Sequence, residues 1–122
     1  FFGWGTAGLG NSVSSLRTNG TTSITYYFWG SDIIQTVPTY YDTWAHIVGT
    51  YNHQTRIKTL YLNGQQVASL STGATVFTFT DANYMVSGFN GERVTGLMDE
   101  LAVWSRCLST SEVKDMYRMG QQ

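Results

Sequence analysis

Two carboxylates stand side by side in "GLMDELAVWSRCLS", Gly96 to Ser109, in the middle of an apolar run. Asp99 and Glu100 could serve as an acid/base pair, as metal ligands or as structural residues. Glycoside hydrolysis needs carboxyls ~5 Å apart for retention, or ~6.5–9.5 Å for inversion, facing one bond. The apolar alternation around the pair reads as a strand, and consecutive strand residues point to opposite faces. On that reading Asp99 and Glu100 do not converge on one substrate. Asp99 is then either a metal ligand or an acceptor for backbone N–H groups at the sheet end, with Glu100 paired to an Arg such as Arg106.

A second set of residues suits recognition of a polar ligand. "SITYYFWGSD" puts Tyr26 and Phe28 on one face of a strand and Tyr27 and Trp29 on the other. One face must be core. Sugars are held by aromatic faces against their C–H patches, with amides, carboxylates and Arg bonding the hydroxyls, so pockets mix apolar walls with a few polar groups. Trp29, Asp32, Tyr40 and Tyr41 near a loop are the expected ligand contacts, with Arg17 and Asn11, and then Trp4, as additions. His46 and His53 have no zinc-ligand spacing, and no G-x-S-x-G elbow is present. The lone Cys107 allows no intrachain disulfide and reads as a buried thiol.

The elements that must position these residues are strands. "SVSSLRT" and "SITYYFWG" flank Asn19-Gly20, and "RIKTLYLN" and "QQVASL" flank Asn63-Gly64, the dipeptide that favours a type I′ hairpin turn. "TWAHIVGTYN" reads as a long strand with Ala45, Ile47, Gly49 and Tyr51 on one face and Trp44, His46, Val48 and Thr50 on the other. "ANYMVSGF" and "GLMDELAVWSR" complete the strand-like runs. Ser109-Thr110-Ser111-Glu112 is a capping box that opens one helix, with Val113, Met116 and Tyr117 as its apolar stripe. The expectation is an all-β antiparallel sandwich with one short C-terminal helix.

Composition agrees with a single domain over residues 1–122. Charged residues are 12 % of the 122-residue chain, aromatics 15 % and glycines 13 in number, which argues for a turn-rich β domain over disorder. The net charge is −1 with scattered basic residues, so a nucleic-acid backbone is not an expected partner. No apolar stretch reaches the ~18 residues of a membrane span. The opening "FFGWGTAG" reads as the interior of a strand, and the chain as a piece of a longer polypeptide.

Two long stretches, "TWAHIVGTYNHQTRIKTLYLNGQQVAS" and "GLMDELAVWSRCLSTSEVKDMY", resemble the laminin-G-like, or concanavalin A-like, jelly-roll domains. The resemblance runs over nearly the whole chain. It implies two packed antiparallel sheets, Trp44 and Trp104 in the core, and ligands met at a loop rim or on the concave sheet. It also implies an upstream strand that this chain lacks, and a calcium ion to which Asp99 would contribute. Related glucanases carry an E-x-D-x-x-E strand, which is missing here, so no enzyme is expected. The expected function is a non-catalytic, lectin-like module of a secreted or cell-surface protein, binding a glycan or polysaccharide and adjoining other domains of a larger parent. The alternatives are a protein–protein adhesion module of the same fold and, ranked last, a glycoside-active enzyme domain.

Overall fold

Asn63 and Gly64 both take positive φ, 48° and 74°, as a two-residue type I′ turn requires. They join β6 (Ile57–Leu62) to β7 (Gln65–Ser71), and β6 also pairs antiparallel with β5 (Ile47–Asn52) in a three-stranded sheet. A register shift between Leu60 and Tyr61 marks a bulge on β7. The computed structural model describes residues 1–5, 8, 10, 12–20, 22–38, 43–73, 84–86, 88–89 and 92–121, with only the backbone described at 84–86, 88–89 and 92.

The second sheet has five strands. Its strands in chain order are β1 (Phe2–Gly5), β2 (Val13–Asn19), β3 (Ser23–Tyr27), β4 (Ile33–Thr36) and β8 (Tyr84–Val86), arranged β4-β3-β2-β1-β8. Two short strands, β9 (Gly88–Phe89) and β10 (Glu92–Arg93), pair with each other. The expected antiparallel sandwich is therefore the observed architecture.

The core lies between the sheets. Ile24, Tyr26 and Phe28 from β3 and its end, with Ile33 and Val37, meet Leu60 of β6. Ile47 and Tyr51 of β5 and Val67 of β7 pack around them. Tyr26 and Phe28 meet edge to face at 5.1 Å, and Phe28 meets Tyr51 in the same way at 5.2 Å. Gly49 has a packing reason: a Cβ there would lie 3.0 Å from the Tyr26 ring.

This core encloses a lysine. Lys58 is 0 % exposed, and its Nζ donates to the Tyr26 carbonyl at 2.8 Å. The ammonium lies 4.3 Å from the Phe28 ring centre and 5.0 Å from that of Tyr26. Ring faces attract a cation, and one hydrogen bond partly replaces its water. Burial still lowers the Lys58 pKa to about 8, while nearby Asp32 acts the other way.

The helix α1 (Thr110–Met119) starts as its capping box requires. Glu112 N donates to Ser109 Oγ at 3.3 Å, and Ser109 N donates to Glu112 Oε2 at 2.7 Å. Val113 and Met116 pack with Leu108 against Val48 and Tyr61, on the side of β5 and β6 turned away from the main core.

Three expectations about strands and core are corrected. The strand foreseen from Thr43 begins only at Ile47, and Trp44 is 68 % exposed instead of buried. The run from Gly96 to Arg106 forms no strand. Leu97 is 85 % exposed and Trp104 42 %, so Trp104 is not a core residue. The cause lies between the two carboxylates: Glu100 adopts φ 54°, and Asp99 Oδ1 accepts from Glu100 N at 2.8 Å. The positive φ breaks the extended backbone, and among the described residues no strand pairs with this segment.

Candidate functional site

On β3 the residues that alternate away from the core are Thr25 and Tyr27. The β2–β3 register sets Arg17 opposite Thr25 and Ser15 opposite Tyr27, so all four share that face. The Arg17 guanidinium lies over the Tyr27 ring, 4.5 Å from its centre. Trp29 meets Tyr27 edge to face at 5.3 Å. Arg17, Tyr27 and Trp29 are all half-buried and form a ladder of a cation and two rings. The Thr25 hydroxyl on the same face has no hydrogen-bond partner among the described residues.

The bend after β3 places Trp29. Trp29 has φ 61° and Gly30 φ 127°, conformations uncommon for a bulky residue and ordinary for glycine. Asp32 secures the bend, because its Oδ1 accepts from Phe28 N at 2.7 Å. Asp32 thus has one oxygen engaged in closing the turn, and it favours the charged form of Lys58 on the core side.

Of the expected contacts, Arg17 and Trp29 come together, joined through Tyr27, with Asp32 behind them. Tyr40, Tyr41 and Asn11 lie outside the described residues. Trp4 pairs with Ser14, which puts it on the opposite face of the sheet from Tyr27. Tyr27 itself was not among the expected contacts. The period-two pattern that pairs it with Trp29 was the signal that could have found it.

At the other candidate, Asp99 and Glu100 are exposed. The separation of the two carboxylates onto opposite faces of a strand does not apply, since no strand forms there. The expected Glu100–Arg106 pair is also absent: Arg106 pairs with Glu112 through two bonds of 2.6 and 3.0 Å. These bonds, with those from Ser109, hold the Glu112 carboxyl down at about 2. Calcium takes six to eight oxygens, and among the described residues no group of three or more His, Cys, Asp or Glu gathers that could hold a metal.

His46, expected as a strand residue, lies just before β5. Its backbone N–H donates to Asn63 Oδ1 at 2.9 Å and its ring lies 5.9 Å from that of Tyr117. Burial lowers its pKa, which favours the neutral ring.

Among the described residues no helix is long and apolar enough to cross a membrane. No curated protein matches the chain. A crystal structure of an S-layer domain-containing protein from Clostridium thermocellum is similar in fold, with 20 % identity and a TM-score of 0.55. The alignment covers 94 % of this chain and 60 % of that one. The Laminin_G_3 family model, described as concanavalin A-like lectin/glucanases superfamily, matches residues 3–114. With its two antiparallel sheets and that match over most of its length, the chain belongs to the Laminin_G_3 family of the concanavalin A-like lectin/glucanase superfamily.

Proposed function

We propose that this chain is a non-catalytic, carbohydrate-binding module of a secreted or cell-surface protein, and that Arg17, Tyr27 and Trp29 form its ligand platform. The observation that carries the reading is the ladder itself, a guanidinium 4.5 Å above one ring and a second ring 5.3 Å further on. Rings offer faces or edges to sugar C–H groups, and Arg offers five fixed N–H donors to hydroxyls or carboxylates. The superfamily match and the S-layer title of the similar structure support a cell-surface setting. The exposure of Asp99 and Glu100 supports binding over catalysis, since neither carboxylate is desolvated for acid/base work. A single open platform gives modest affinity, and repetition within a parent protein raises it through effective concentration.

One observation favours a second reading, an adhesion module for a protein partner. Leu97, Leu101, Val103 and Trp104 are between 42 and 85 % exposed within eight residues, and exposed apolar patches mark contact surfaces.

The test is a glycan array probed with the wild-type domain and with Trp29→Ala, each in calcium and in a chelator. The platform reading expects hits that survive chelation and weaken at least tenfold in Trp29→Ala. Hits lost on chelation would support a calcium-dependent site and point to Asp99. A folded domain with no hits in either buffer would favour the adhesion module.

A further inference from the structure

On β5, β6 and β7 the side chains that alternate away from the core include Thr50, Asn52, Thr59 and Ser69. Thr50 and Thr59 are register partners, as are Thr59 and Ser69, so they share one face. They line a groove of about 290 Å³, bordered also by residues 107–110 leading into α1. Tyr61 Oη lies 3.1 Å from Thr110 Oγ1, tying the sheet to that border. The groove and the Arg17–Tyr27–Trp29 platform lie on different sheets and share no residue.

We propose that this groove is a second saccharide site, built for an uncharged polyhydroxyl chain. It shares with the proposed function the choice of ligand class but none of the residues. Three features of the groove support the assignment.

The first is charge. Among the described residues no Asp, Glu, Lys or Arg lines the groove. A charged ligand entering it would lose water without meeting a counter-charge, which is costly. The platform, by contrast, carries Arg17.

The second is hydrogen-bonding capacity. Hydroxyl and amide side chains both donate and accept, as sugar hydroxyls do. Asn52 Oδ1 already accepts from Gln54 N and Thr55 N at 2.9 and 3.0 Å, which fixes the side chain. Its amide N–H groups have no partner among the described residues. Thr50 is only 7 % exposed, and its hydroxyl makes no hydrogen bond among the described residues, although it lines the groove. Such a hydroxyl can both donate to and accept from a ligand hydroxyl.

The third is shape. The groove lies over a sheet face, where the backbone donors and acceptors are already paired in the ladders. An added peptide strand would need a sheet edge, so side-chain groups alone must hold the ligand here. Ile57, 41 % exposed, supplies apolar surface for sugar C–H groups. The volume is at the lower end of the ~300–1,000 Å³ of ligand pockets, which suits a short stretch of chain.

The test is an NMR titration of the ¹⁵N-labelled 122-residue chain with cellotetraose, xylotetraose, mannotetraose and maltotetraose, and with tetragalacturonate as the charged counterpart. At least one neutral tetrasaccharide should shift the amides of Thr50, Thr59 and Ser69 and saturate, and Trp29→Ala should leave those shifts in place. Ser69→Arg, which fills the groove from an exposed position, should weaken binding at least tenfold. Thr50→Val, which removes only the hydroxyl, should weaken it about fivefold, the scale of one net hydrogen bond. No groove shift with any of the four neutral chains overturns the inference. So does equal binding by Ser69→Arg, or groove binding of tetragalacturonate as tight as that of the neutral chains. Shifts confined to Arg17, Tyr27 and Trp29 overturn the groove and leave the platform. Groove shifts in a domain whose glycan binding ignores Trp29→Ala keep the groove and remove the platform.

Discussion

On β3 and at its end, the alternating residues Ile24, Tyr26 and Phe28 are 0, 5 and 1 % exposed. In the segment 97–104 the apolar residues Leu97, Leu101 and Val103 are 85, 48 and 58 % exposed. Both stretches carry large apolar side chains at close spacing. β3 has neighbours on both edges, β2 and β4, and Leu60 of the opposite sheet above it. The segment 97–104 has no paired strand among the described residues, and a positive φ at Glu100 divides it. Alternation selects a face, but only paired neighbours and a facing sheet turn that face into a core.

The largest effect that sharpens this contrast is expected at Phe28. Phe28→Ala removes a ring that packs on Tyr26, Tyr51 and Lys58, and should cost about 3–5 kcal/mol in urea unfolding. A loss below about 1 kcal/mol would mean that the two sheets are not packed as described.

Next in size is the pH dependence set by Lys58. Its pKa is lowered from 10.5 to about 8 in the fold. Below pH 8 both folded and unfolded states hold the proton, so the folded state bears the full cost of the buried charge. Between pH 8 and 10.5 the folded state releases the proton first, and stability should rise with pH, by up to about 3 kcal/mol. Burial raises the Tyr26 phenol above its ordinary 10.0, so above about pH 10 the unfolded state ionises more readily and stability should fall again. Urea midpoints from pH 7 to 11 should therefore pass through a maximum, and Lys58→Met should flatten the rising limb. A flat wild-type profile between pH 8 and 10 would contradict the buried, protonated lysine.

Smaller effects come from the C-terminal region. Ser109→Ala removes the side-chain acceptor for Glu112 N and should cost about 1 kcal/mol by thermal unfolding. Trp104→Ser, in the unpaired segment, should stay within about 0.5 kcal/mol of wild type. A loss above about 2 kcal/mol would show that Trp104 is packed, which would break the contrast with β3.

The features legible in the sequence depend on neighbours a few residues away. Asn63-Gly64 fixes its hairpin because both residues tolerate positive φ, and Ser109 finds Glu112 within one helical turn. The period of two separated Tyr26 from Tyr27, and hence core from surface. Long-range partners were not legible. Nothing local says that 97–104 has no pairing strand among the described residues, or that Trp44 falls outside β5. A lysine reads as surface, yet the Lys58 stem is buried among apolar residues and its ammonium reaches two ring faces and the Tyr26 carbonyl. The residues that flank Trp29 in space, Arg17 above all, depend on the β2–β3 register, so the site was legible in its residue types more than in its arrangement.

Trp29 and Trp104 offer the most direct test of the central claim, since both indoles are partly exposed and only Trp29 stands on the platform. The measurement follows their indole N–H resonances while the best glycan from the array is titrated into the ¹⁵N-labelled domain, with assignments from Trp29→Phe and Trp104→Phe. A saturating shift of the Trp29 resonance is expected, with that of Trp104 unmoved. A shift of Trp104 with Trp29 unmoved would contradict it and place recognition on the exposed apolar segment.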